Sequence, residues 1–109
     1  LDNSIDLIND IFGANSFKKY KNGTFDSRFN RAIFDIMVFY FQNEDIRNLA
    51  SQKKQDVYES FISLSEEDPL FVSSFEASTK NINQTSYRFK KWGEKLEEVL
   101  GIDIHLPNI

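Results

Sequence analysis

The chain has 109 residues, 13 Lys and Arg against 17 Asp and Glu for a net charge of −4, and hydrophobic residues at 40%. That length holds one domain with one core, and the acidic balance argues against a dedicated nucleic-acid surface, which is normally basic. The lack of cysteine excludes disulfides and thiolate ligands and fits a reducing compartment, while no apolar run reaches the ~18 uncharged residues of a membrane helix, so no membrane partner and a cytoplasmic location are expected.

Residues 4–12 predict a first helix, with Ser4 as N-cap, a stripe of Leu7, Ile8, Ile11 and Phe12, and Gly13 as the stop. Residues 14–24 read as a polar connector carrying Lys18, Lys19 and Lys21, pinned to the body by Phe17 and Tyr20. Asn22-Gly23 can mark a two-residue hairpin, but its flanks do not alternate, so a loop is expected. The longest apolar-rich stretch, residues 25–41, predicts a central buried helix over about 26–42, capped by Asp26 or Ser27. Its stripe is Phe29, Ala32, Ile33, Ile36, Met37, Tyr40 and Phe41, and Phe34, Val38 and Phe39 make it apolar on other sides too. On that reading Phe34→Ala costs about 3–5 kcal/mol.

Residues 44–64 recur at helical spacing through Ile46, Leu49, Ala50, Val57, Tyr58, Phe61, Ile62 and Leu64. The apolar-free stretch 51–56 is either a solvated face or a break between two helices. Asp68-Pro69 is a strong start signal, because Asp caps well and Pro tolerates the first helical position. A short helix over about 69–77 should bury Leu70, Phe71 and Phe75. Thr79 or Asn81 can cap a last helix to Leu100, striped by Ile82, Phe89, Trp92, Leu96, Val99 and Leu100 and stopped by Gly101. No strand founds a sheet in this reading. The expectation is an all-α single domain of four to five helices over residues 1–101, then an extended or disordered tail at 102–109. Because the sequence opens on Leu1 rather than Met, it reads as a C-terminal fragment of a longer protein.

Ile11-Phe12-Gly13, Phe17 and the run Phe29-Asn30-Arg31-Ala32-Ile33-Phe34-Asp35 resemble the helical region of the GmrSD-type prokaryotic family. The later order also matches: a Phe-containing helix at 55–64, a short helix at 69–77, a Ser/Thr-rich turn at 78–83 and the pair Arg88-Phe89. The similarity covers about residues 10–100, and the Phe-Asn-Arg-Ala-hydrophobic-Phe-Asp run is its distinctive part. Members carry an N-terminal ParB-like domain with an Asp-Gly-Gln-Gln-Arg type motif, which this chain lacks. The resemblance therefore implies a non-catalytic module that packs against or positions a DNA-directed catalytic domain, in restriction or phage defence. The missing domain of the same protein is the expected partner, and the parent would be a nucleotide-dependent DNA endonuclease. A stand-alone interaction or dimerisation module is the alternative, with homo-oligomerisation left open, and a nucleic-acid-binding helical domain is the second alternative.

No catalytic, cofactor-binding or metal-ligating residue is assigned. His105, the only imidazole, reads as a solvated tail residue, and Glu66-Glu67-Asp68 as a capping cluster before a cation site. Arg88, Lys91 and Lys95 stand three and four apart, so they share a helix face that can neutralise phosphates, and DNA contact through them would be weak or indirect. Glu94, Glu97 and Glu98 interleave with them and offer ordinary surface pairing instead. Asn30, Arg31 and Asp35 are polar groups on the central helix, where they either fix its orientation or face the missing domain.

Overall fold

The computed structural model describes residues 2–76 and 82–104. The first helix, α1 (Asp2–Phe12), starts ahead of the expected cap. Ser4 is instead buried within it and donates its hydroxyl to the carbonyl of Phe41 at 2.9 Å, fastening α1 to the end of the second helix. Gly13, at φ 56°, ends α1 and opens a single 3-10 turn over Gly13–Asn15.

The connector is not a loop. Lys18–Lys21 (β1) and Thr24–Phe29 (β2) pair antiparallel, with Tyr20 opposite Phe25 and Lys21 opposite Thr24. Asn22 and Gly23 take φ 55° and 80°, the two positive values that a tight two-residue hairpin turn requires. A register shift between Lys18 and Tyr20 breaks the period-two pattern, which is why the flanks do not alternate in sequence. The hairpin is held to the helices by its aromatics: Phe25 lies edge-on to Tyr20 at 5.0 Å and stacks parallel to Phe61 at 6.4 Å.

The hairpin also moves the start of the central helix. Asn30, not Asp26 or Ser27, is the N-cap of α2 (Arg31–Phe41), its Oδ1 accepting from the Ile33 N–H at 3.1 Å. Ile33, Ile36 and Phe41 are wholly buried, but Phe39 is 45% exposed and Phe34 half-buried, so α2 is not greasy all round. The undecided stretch after it is a break: α3 (Glu44–Ser51), capped by Asn43, and α4 (Lys54–Glu67) are separate helices. Asp68 caps α5 (Pro69–Ser74) as expected, accepting from Leu70 and Phe71 N–H groups, though α5 ends at Ser74 and leaves Leu70 exposed. The last helix is α6 (Ile82–Leu100), with Gly101 at φ 71° as its stop. Ile82 points to solvent and drops out of the predicted stripe. Thr79 and Asn81 lie outside the described residues.

The described residues therefore form a mostly helical domain of six α-helices with one two-stranded sheet, a correction to the all-α expectation of four to five helices. Its centre is shared between elements. Trp92 of α6 meets Phe61 of α4 edge-to-face at 5.5 Å, and Phe61 in turn touches Phe12, Phe71 and Phe75. Such edge-to-face pairs add about 0.5–1.5 kcal/mol beyond area burial. No helix among the described residues is long and apolar enough to cross a membrane.

Candidate functional site

Two of the polar groups singled out in the sequence, Asn30 and Arg88, meet at the C-terminal end of α5. Asn30 donates its backbone N–H to the Phe17 carbonyl at 2.8 Å, caps α2, and donates Nδ2 to the Phe75 carbonyl at 3.3 Å. Arg88, one residue back along the same strip of carbonyls, donates Nη1 to Ser74 at 2.5 Å and Nη2 to Thr85 Oγ1 at 3.1 Å. Hairpin, α2, α5 and α6 are thus tied together by two side chains from distant parts of the sequence. Burial pushes the Arg88 guanidinium below its usual pKa, and the Asp35 carboxylate partly offsets that.

Beside this junction the surface opens. Arg31 Nε pairs with Asp35 Oδ1 at 2.9 Å on the exposed side of α2, and the Arg31 guanidinium lies 5.7 Å from the centre of the Phe34 ring. Phe29 is 60% exposed yet within 6 Å of the rings of Phe17 and Phe34, at 5.9 and 5.8 Å. The result is a small aromatic patch edged by an ion pair. Such a pair on its own is worth about 0–1 kcal/mol in water, so it adds little to stability.

The predicted cationic strip on α6 is not assembled. Arg88 is inside the protein at 1% exposure, where it contributes nothing to an outer surface. Lys91 lies 4.0 Å from Asp68 and 3.9 Å from Glu94, over the ring of Tyr87, and Lys95 pairs with Glu98 at 3.8 Å. The helical spacing holds, but α6 is turned so that its first member faces the core. Lys19 and Lys21 both reach Glu76 Oε2 at 2.8 Å, and these bonds, Lys19 first, hold the Glu76 carboxyl below its ordinary pKa. Among the described residues no cluster of three or more His, Asp or Glu could hold a metal ion. His105 lies outside them.

Two features escaped the sequence reading. Tyr87 donates its hydroxyl to Asp68 Oδ2 at 2.7 Å, so one carboxylate caps α5 with one oxygen and anchors α6 with the other. Desolvation, then that hydrogen bond, raises the Tyr87 pKa to about 12. The second is a groove of about 730 Å³ at the other end of α2, between Phe39, Asp45, Ile46, Leu49 and the segment 102–104. Its walls come from positions more than 50 apart in sequence, which no local pattern announces.

Compared with protein-family models, curated proteins and solved structures, the chain matches none of them.

Proposed function

We propose that this chain is a non-catalytic helical module of a GmrSD-type protein, packing against a ParB-like, DNA-directed domain and setting its position in restriction or phage defence. The observation that carries the reading is the exposure of Phe29 beside Arg31 and Asp35, within the run that most resembles the family. Aromatic residues and arginine are the side chains enriched in protein interfaces. Asn30, between Phe29 and Arg31, is fixed to the Phe75 carbonyl at the end of α5, so the backbone under the patch is preorganised and loses less entropy on docking. The groove at the far end of α2 favours a second reading, an interaction module that acts on its own.

The coding sequence ahead of Leu1 is the first check: an Asp-Gly-Gln-Gln-Arg type motif is expected there, and its absence removes the reading. Given the motif, Phe29→Ala combined with Arg31→Glu should separate the two domains in limited proteolysis of the whole protein. The isolated module should melt as before. Protection that survives both substitutions would place the domain contact elsewhere.

A further inference from the structure

The groove at the C-terminal end of α2 combines an apolar floor with two carboxylates that form no ion pair among the described residues. Ile46, Leu49, Ile102 and Ile104 line it, and Phe39, 45% exposed, forms a rim. Asp45 and Asp103 stand on its walls, and neither pairs with a basic side chain among the described residues. The nearby Arg47 is committed to the carbonyls of Phe41 and Gln42, both at 2.9 Å. Tyr40, also in the lining, donates its hydroxyl to the Phe89 carbonyl at 2.7 Å, and burial first, then the carboxylates of Glu97 and Glu94, raise its pKa. The Asn48 side-chain amide also lines the groove without bonding any described group, and an amide matches both the N–H and the C=O of a peptide backbone.

We infer that this groove binds a basic, apolar-anchored peptide segment of a partner protein, with Leu- or Ile-type side chains on the floor and Lys or Arg against Asp45 and Asp103. The volume lies in the range of about 300–1,000 Å³ that binding clefts occupy. Charge complementarity selects the occupant: an acidic segment would be repelled, and a purely polar cation would leave the floor wet. Along α2 the groove begins at Phe39, eight residues or about 12 Å beyond Arg31 at the 1.5 Å rise of each helical residue, and it shares no residue with the domain-packing patch.

The test uses the 109-residue chain and three dye-labelled synthetic 11-residue peptides: one of alternating Leu and Lys pairs, one with each Lys replaced by Glu, and one with each Leu replaced by Ser. Fluorescence anisotropy gives affinity, and amide chemical shifts give location. The Leu/Lys peptide should bind and shift the amides of Asp45–Leu49 and Ile102–Ile104, while the other two should not. Asp45→Asn with Asp103→Asn should weaken binding about five-fold and flatten its salt dependence, as the loss of two exposed pairs implies. Phe39→Ser, at an exposed rim, should also weaken it without changing the circular dichroism. Equal binding of the Leu/Glu peptide overturns the inference, as does a shift map centred elsewhere. A dimer that forms without peptide and buries these same amides would assign the groove to a second copy and overturn it as well.

Discussion

Arg88 and Ser74 meet inside the protein, the guanidinium Nη1 donating to the backbone carbonyl at 2.5 Å with both residues out of solvent. No carboxylate lies within ion-pair distance of Arg88 among the described residues, so its charge is balanced by backbone dipoles and by Asp35 at longer range. Arg88→Ala should therefore cost about 2–4 kcal/mol, from lost packing and an orphaned carbonyl. Arg88→Lys should recover only part, because an ammonium cannot reach Ser74 and Thr85 with one rigid fork. Urea unfolding measures both, and a full rescue by Lys would show that charge alone matters.

Phe61 and Phe34 give a paired test of where the core lies. Phe61 is 1% exposed and meets rings from α1, the hairpin, α5 and α6, so Phe61→Ala should cost about 3–5 kcal/mol. Phe34 is half-buried against Phe17 and Phe29, and Phe34→Ala should cost about 1–2 kcal/mol, less than the sequence alone implied. Thermal melts of the two variants should rank them in that order.

Gly23 sits at φ 80°, a conformation that side chains with a Cβ rarely adopt. Gly23→Ala should destabilise by about 1–2 kcal/mol through backbone strain alone, since nothing lies within 4 Å of the added carbon. Asn22 at φ 55° is one of the few side chains that tolerate the same region, so Asn22→Gly should be close to neutral. Hydrogen exchange of the β1 and β2 amides would report the loss locally.

Two ionisable contacts set opposite pH limbs. The Glu76 carboxyl is depressed below 4.5 in the folded state, so its contribution is complete above that value and fades as pH falls through the depressed one. Because the side chain is 36% exposed, the effect is small and salt-sensitive, and Glu76→Gln should flatten the acid limb of the urea midpoint. Tyr87 runs the other way. Its pKa rises from 10.0 to about 12, so its contribution is complete below pH 10.0 and is lost as pH climbs toward 12. The absorbance difference between the native protein and Tyr87→Phe should titrate near 12, and a midpoint near 10 would mean that Tyr87 is neither buried nor bonded to Asp68.

Punctuation was the legible part of the sequence. Gly13, Asp68-Pro69 and Gly101 each act through a local backbone rule, and each stands where expected. The hairpin is not legible locally because Phe25 rests on α4, a contact remote in sequence, and because the bulge hides the strand period. The orientation of α6 is likewise hidden from local spacing. Spacing places Arg88, Lys91 and Lys95 near one another, but the rotation of α6 about its axis is set by Trp92 and Leu96, and it carries Arg88 inward. The groove needed both the C-terminal segment and α3 in place, so it exists only at the tertiary level.

Trp92, the single tryptophan, gives the molecule a built-in optical gauge. Its indole is wholly buried against Phe61, and its Nε1–H has no hydrogen-bond partner among the described residues. An indole shielded from water and without a hydrogen-bond partner emits toward the blue end of its range, and water entering between α4 and α6 would move that emission to longer wavelength. Loosening of the contact between these two helices is thus visible as a colour change in the intact protein, without any label.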